Sequence, residues 1–220
     1  MPKRLRYQVA ASLDGFIADP QGGYDWIVAD PTIDFGALFK EFDTAVMGRK
    51  TYDIVKAQGG NGAMPGLDVV VFSRTLPPTS SPGVRVVSDD PRKVVADIKA
   101  GSGRDVWLFG GGELFRYLLD AGLVDTVEVA VMPVLLGSGI PLLPAGAHAR
   151  LVLSDLKRLP SGIVVLAYSV KGSKAAAPRI SYLKSKKGRQ SRKPKKVRKS
   201  TPTRGKGKRR TGSAKDKMTK

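Results

Sequence analysis

Three short stretches carry residues that could do chemistry. The first is "LFGGGELFRYLL" (108–119), where Gly110, Gly111 and Gly112 stand between an apolar run and a helical pattern. Each glycine costs backbone entropy, so three together imply a need for bare backbone. At a helix N-terminus, bare N–H groups and the macrodipole favour an anion such as a phosphate. A tight turn with close strand–helix packing would account for the same glycines. The second stretch, "VMGRKTYD" (46–53), puts Gly48, Arg49, Lys50 and Thr51 at another strand-to-helix junction. A glycine, a hydroxyl and two cations suit a second phosphate, or simply a solvated basic helix start. The third, "VVFSRT" (70–75), closes a strand with Ser73 and Arg74. Strand C-termini of this kind are where a nucleotide binds across an open sheet. The cations suit a ribose 2′-phosphate, which points to NADP.

Other chemistries are closed off by composition. The 220 residues hold no cysteine and one histidine, His148. Disulfides, thiolate metal sites and a cysteine nucleophile are therefore excluded, no metal site is expected, and a Ser-His-Asp centre has little to build on. The N-terminus lacks a signal-peptide pattern, and no apolar run nears the roughly 18 residues that cross a bilayer. A soluble, cytoplasmic protein without membrane contact is expected.

The elements that must position these stretches are legible as Val/Ile-rich runs at 5–12, 44–48, 68–73, 84–88, 105–110, 125–136, 151–159 and 163–170. Helical patterns fall at 32–42, 90–100 and 112–122, the second with an Asp cap followed by proline. Strands and helices alternate to about residue 122, and only strands follow. That order predicts an α/β fold: a mixed, mostly parallel sheet of about eight strands, helices on both faces, and antiparallel C-terminal strands.

The formal charge of +19 is unevenly spread. Residues 171–220 hold 21 Lys and Arg against the single acid Asp216, whereas 1–170 carry 17 basic and 18 acidic residues. The sequence thus divides into a domain at 1–170 and a Lys/Arg-rich tail at 171–220, expected to be disordered apart from a short piece near Ile180–Leu183. The tail has the charge to contact nucleic acid or other polyanions non-specifically. It lacks the interleaved aromatics of base-stacking binders.

The segments "AASLDGFIA" (10–18), "DTAVMGRKTYD" (43–53), "VVFSRT" (70–75), "VWLFGGGELFRYLL" (106–119) and "PVLLGSGIPLL" (133–143) together resemble the dihydrofolate reductase-like superfamily. Within it they are most similar to the C-terminal reductase domain of the riboflavin-biosynthesis deaminase–reductase and its small stand-alone relatives. The resemblance covers 3–170. It implies that superfamily's three-layer fold, an NADPH cofactor and hydride transfer to a small heterocyclic or carbonyl substrate. The 5-amino-6-(5-phosphoribosylamino)uracil reductase and dihydrofolate reductase reactions are the nearest models. It also implies a homodimer through the late strands.

By the same resemblance, Ala10 and Ala11 present main-chain groups to the nicotinamide carboxamide and Ile17 packs near its ring. Gly48, Arg49, Lys50 and Thr51 hold the pyrophosphate and 2′-phosphate, and Ser73 and Arg74 flank the adenosine. Gly110, Gly111, Gly112, Glu113 and Leu114 cap the pyrophosphate at the helix start. For a substrate-gripping acid the sequence offers Asp34 first and Asp30 second, with Asp34 equally suited to cap a helix. Trp26 could stack on a planar substrate or cover the core. The compared reductase domains carry an acid before the glycine pair and a lysine after "SLDG". Here those places hold Phe109 and Phe16. A competing reading is a nucleic-acid-associated protein that uses the basic tail, with a reductase-fold body that binds cofactor without turnover.

Overall fold

In the computed structural model, residues 2–184 are described, apart from 59, 79, 80 and 174. The strands are β1 (Leu5–Ser12), β2 (Phe16–Ala18), β3 (Phe42–Gly48), β4 (Asp68–Phe72), β5 (Val84–Val87), β6 (Asp105–Gly110), β7 (Thr126–Met132), β8 (Ile140–Pro141), β9 (Leu151–Arg158) and β10 (Val164–Val170). Eight of them form one sheet in the order β5-β4-β3-β6-β1-β7-β10-β9, and β2 pairs with β8 in a small second sheet. Neighbours from β5 to β7 pair parallel, while β10 pairs antiparallel with both β7 and β9. The mixed sheet with antiparallel C-terminal strands is therefore as the sequence predicts.

Among the described residues four helices cover the sheet: α1 (Phe35–Phe39), α2 (Arg49–Ala57), α3 (Pro91–Ala100) and α4 (Gly112–Asp120). Alternate residues of the parallel strands feed two separate cores, as the two-residue period of a strand requires. Leu38 and Tyr52 of α1 and α2 pack on one face with Ala45, Met47, Val69 and Val71. Val95 of α3 and Phe115 and Leu118 of α4 pack on the other with Leu5, Tyr7, Val46 and Val70. On the first face Trp107 stacks on Phe42 at 5.0 Å and meets Phe39 and Phe109 edge-on.

The helix predicted over 32–42 is corrected to five residues. Asp34 ends it on one side, its side chain accepting from the Ala37 N–H at 3.0 Å. Beyond Lys40 the chain enters β3 at Phe42, whose side chain joins the core from a strand instead of a helix.

The packed body also runs past the boundary read at Val170, through Lys184, the last described residue. Ile180 and Tyr182 are buried in the first core. The segment 175–184 runs beside the loop before α1: Asp34 N–H donates to Tyr182 O, Lys184 N–H to Thr32 O, and Ile33 bridges Leu183. Two apolar side chains outweigh the cationic composition around them, since each such burial is worth about 1.5–3 kcal/mol. The basic stretch from Lys186 onward, with its expected polyanion contacts, lies outside the described residues. A chain ending after Val170 is expected to melt roughly 10 °C below one ending at Lys184. Equal thermal midpoints for the two truncations would mean that 175–184 does not pack on the body.

Candidate cofactor site

The strand order reverses at β1, since the chain leaves it for β3, β4 and β5 on one side and returns to β6 and then β7. Ligands of open α/β sheets bind outside the carboxyl ends of strands at such a point. Here the ends of β3, β4 and β6 are level: Gly48 pairs with Phe72, and Met47 with Gly110. Two helices start directly from these ends. Gly48 is the N-cap of α2 and Gly111 the N-cap of α4, both extended, and neither start has a side-chain cap. Helix N-termini leave several N–H groups to be satisfied by side chains, water or ligand. Two adjacent starts, both capped by glycine alone, present those groups together.

The glycines divide their tasks. A Cβ on Gly110 would lie 3.2 Å from Thr51 Oγ1, and one on Gly112 would lie 3.0 Å from Pro141 O. These two permit close packing of α4 against α2 and β8. A Cβ on Gly48 would meet nothing within 4 Å, and one on Gly111 only Thr51 Oγ1 at 3.5 Å. Both have negative φ, −81° and −97°, open to any residue. The fold itself requires glycine at neither position, so Gly48 and Gly111 are where an outside group could approach. Within the triple glycine, Gly110 and Gly112 thus serve close packing, while Gly111 leaves open space at the start of α4.

Around this opening the cations predicted from sequence come together. Arg49 donates to Thr75 Oγ1 at 2.7 Å and pairs with Asp53 at 3.4 Å, which brings α2 to the turn carrying Arg74. Ser73 Oγ accepts from the Thr75 and Leu76 N–H groups at 3.2 and 3.0 Å, fixing that turn. Lys50 and Arg74 are exposed, and no described carboxylate pairs with either. Glu113 sits exposed in the first turn of α4, followed by Leu114, which packs on the second core. Ala10 and Ala11 lie near the end of β1 beside Ala130 and Val131 of β7. The Ala11 side chain is core, Ala10 packs on the first core, and Ile17 is half-buried against the second.

A residue not singled out from the sequence braces the site. Asp14 accepts from Ser12 Oγ at 2.6 Å, Gly137 N–H at 2.7 Å and Leu136 N–H at 3.1 Å. The Ser12 hydroxyl leads these contacts in holding its carboxyl down to about 2. The turn after β1 is thereby fastened to the loop after β7. The signal was the Ser-x-Asp-Gly turn itself, a self-bonding Asx pattern.

The three residues offered for the substrate side all make contacts within the fold. Asp30 is buried and accepts from Thr32 N–H at 2.8 Å, Thr32 Oγ1 at 2.5 Å and Ser161 N–H at 3.0 Å. Bonds from Ser161 and then Thr32 hold its carboxyl well below the usual range. It fastens the loop before α1 to the β9–β10 turn. Asp34 acts as the helix cap described above. Trp26 packs on the first core and donates its indole N–H to Gly23 O at 3.2 Å.

Comparison with known proteins agrees with this geometry. Residues 3–165 match the RibD C-terminal domain model. The chain belongs to the RibD C-terminal domain family. It is 29% identical over 182 residues to the uncharacterized protein YyaP of Bacillus subtilis (strain 168), covering 77% of this chain and 96% of that one. A Shewanella sp. PV-4 protein whose name proposes a role in riboflavin biosynthesis superposes with a TM-score of 0.67 and 26% identity, over 78% of this chain and 99% of the other. Dihydrofolate reductase from Enterococcus faecalis, complexed with NADP(H), superposes with a TM-score of 0.55 and 17% identity, over 76% and 96% of the two chains. The RibD C-terminal domain family thus has the dihydrofolate reductase-like fold in this member too. Among the described residues no His, Asp and Glu group could hold a metal ion, and no helix is long and apolar enough to cross a membrane.

Proposed function

We propose that the protein is an NADPH-dependent reductase that transfers hydride to a small heterocyclic or carbonyl compound. The observation that carries this reading is the pair of glycine-capped helix starts of α2 and α4, side by side at the strand ends with no side-chain cap. Backbone N–H groups of both would hold a pyrophosphate. Arg49, Lys50 and Arg74 would hold the 2′-phosphate. Ala10, Ala11 and Ile17, near the end of β1, would face the nicotinamide. A reduced nicotinamide supplies the hydride, and the residues here bind and orient it. The family favours a riboflavin-pathway type of substrate. The commitment of Asp30 and Asp34 to backbone donors, with Phe109 among the aromatics, favours proton delivery from water over a carboxylic acid of the chain.

The cations give the reading its test. Charge-assisted contacts contribute about 1.5–3 kcal/mol each before screening. NADPH is expected to bind at least about tenfold more tightly than NADH, a difference of roughly 1.4 kcal/mol or more. Equal dissociation constants in low-salt calorimetry would defeat the assignment of these residues to a 2′-phosphate.

We also propose that two copies pair through the antiparallel end of the sheet. Leu151, Leu153 and Leu156 of β9 stand opposite Val170, Tyr168 and Leu166 of β10, and all three leucines are exposed. An exposed apolar edge strand invites pairing with another strand, and a second copy of the same edge satisfies two-fold symmetry. Sedimentation is expected to show a dimer that Leu153→Lys converts to monomer. A wild-type chain that sediments as a monomer at micromolar concentration would sink the pairing.

A further inference from the structure

We propose that a cavity at the amino ends of β1, β3 and β6, away from the strand ends that carry the cofactor site, is a second anion site for a compact phosphorylated small molecule. Its volume is about 450 Å³. Arg4 and Arg6 lie in its wall with the acids Glu41 and Asp105, and Arg6 also pairs with the buried Glu128, so these two cations face three carboxylates. Arg6 contacts Glu41 at 2.6 Å, and Arg4 contacts Asp105 at 2.5 Å. Three further cations line the same cavity: Lys40 at the end of α1, Arg104 before β6, and Arg179 of the 175–184 segment. No described carboxylate pairs with any of the three. A concave surface with unmatched charge of one sign focuses its field on a counter-ion. Guanidinium forks match phosphate oxygens two at a time. The concavity fits a molecule bearing one or two phosphates, whereas a nucleic-acid strand would want an open groove with aromatic platforms.

The wall contributed by Ala177, Arg179 and Ser181 lies beyond the residues that match the family model, 3–165. The site would therefore be a property of this chain and its C-terminal segment, independent of the cofactor reading.

The test titrates inorganic pyrophosphate into the full chain and into Arg104→Gln/Arg179→Gln, with Lys195→Gln/Lys196→Gln as a control removing equal charge from the basic stretch. The cofactor site is unchanged in all three proteins, so any binding there cancels. The cavity variant is expected to bind at least about tenfold more weakly, about 1.4 kcal/mol, and the control within twofold of wild type. Thermal midpoints should match, because neither mutated arginine has a carboxylate partner. Lys40→Gln is an independent cavity variant should the double variant fold poorly, with the same direction expected. Absence of pyrophosphate binding, or equal losses in cavity and control variants, would overturn the proposal. A cavity variant that loses binding to a 12-nucleotide single strand while keeping pyrophosphate would overturn it in favour of a nucleic-acid surface.

Discussion

Glu128→Ala is expected to cost about 3–5 kcal/mol of folding stability, the usual result of leaving one member of a buried ion pair alone. Arg6 and Glu128 are 2% and 0% exposed. They form a bidentate pair, with Nε to Oε1 and the second guanidinium nitrogen to Oε2 both at 2.8 Å. Thr126 Oγ1 donates to Glu128 at 3.1 Å, and the guanidinium lies 4.7 Å over the Phe42 ring. Burial alone would lower the Arg6 pKa, but the bonds and charge of Glu128, aided by Glu41, override it and keep the guanidinium charged. The alanine variant strands two guanidinium nitrogens in the core, while Glu41 still holds the third. Such a loss is a large share of the 5–15 kcal/mol that holds a typical domain folded. Replacing both partners with apolar residues, as in Arg6→Met/Glu128→Leu, is expected to recover part of it, since no fully buried charge is orphaned and the half-buried Glu41 loses its guanidinium partner. Chemical denaturation checks both values. A single variant costing under about 1 kcal/mol would mean that water reaches the pair.

That pair also shows what a sequence conceals. Arg6 and Glu128 lie 122 positions apart in strands otherwise rich in Val and Ile, and nothing local marks either as buried. The strands themselves were legible because Val/Ile runs survive any context, and the parallel order followed from alternation with helices. The helix over 32–42 was overread for a physical reason. Ile33, Phe35, Leu38, Phe39 and Phe42 do have helical spacing, but Ile33 bridges Leu183 and Phe42 enters β3. Local period cannot reveal a partner 150 residues downstream. Of the segment 175–184, the ordered piece near Ile180–Leu183 was legible from its apolar residues, but its cationic surroundings concealed that it joins the body's core. The strands β2 and β8, of three and two residues, are too short to show a period.

At the site, the residue types were legible and the division of labour was not. Gly48, Arg49, Lys50, Thr51 and the triple glycine do converge on one end of the sheet. Which glycine serves packing and which leaves an opening depends on Thr51 and Pro141, contacts that only the folded chain supplies. Asp30 and Asp34 show the converse. Both are acids at plausible positions, and both are occupied with backbone N–H groups of their own neighbourhood.

In the proposed function, the uncapped starts of α2 and α4 receive the cofactor's pyrophosphate. Gly48 tests it with least interference from the fold, because a Cβ there meets nothing within 4 Å and its φ of −81° suits valine. The measurement is Gly48→Val assayed two ways, by thermal melt without cofactor and by NADPH titration of the full chain. NADPH affinity is expected to fall on the order of 100-fold, about 2.7 kcal/mol, while the cofactor-free midpoint stays within about 2 °C of wild type. A variant that binds NADPH as tightly as wild type, or whose apo midpoint collapses, would contradict the account.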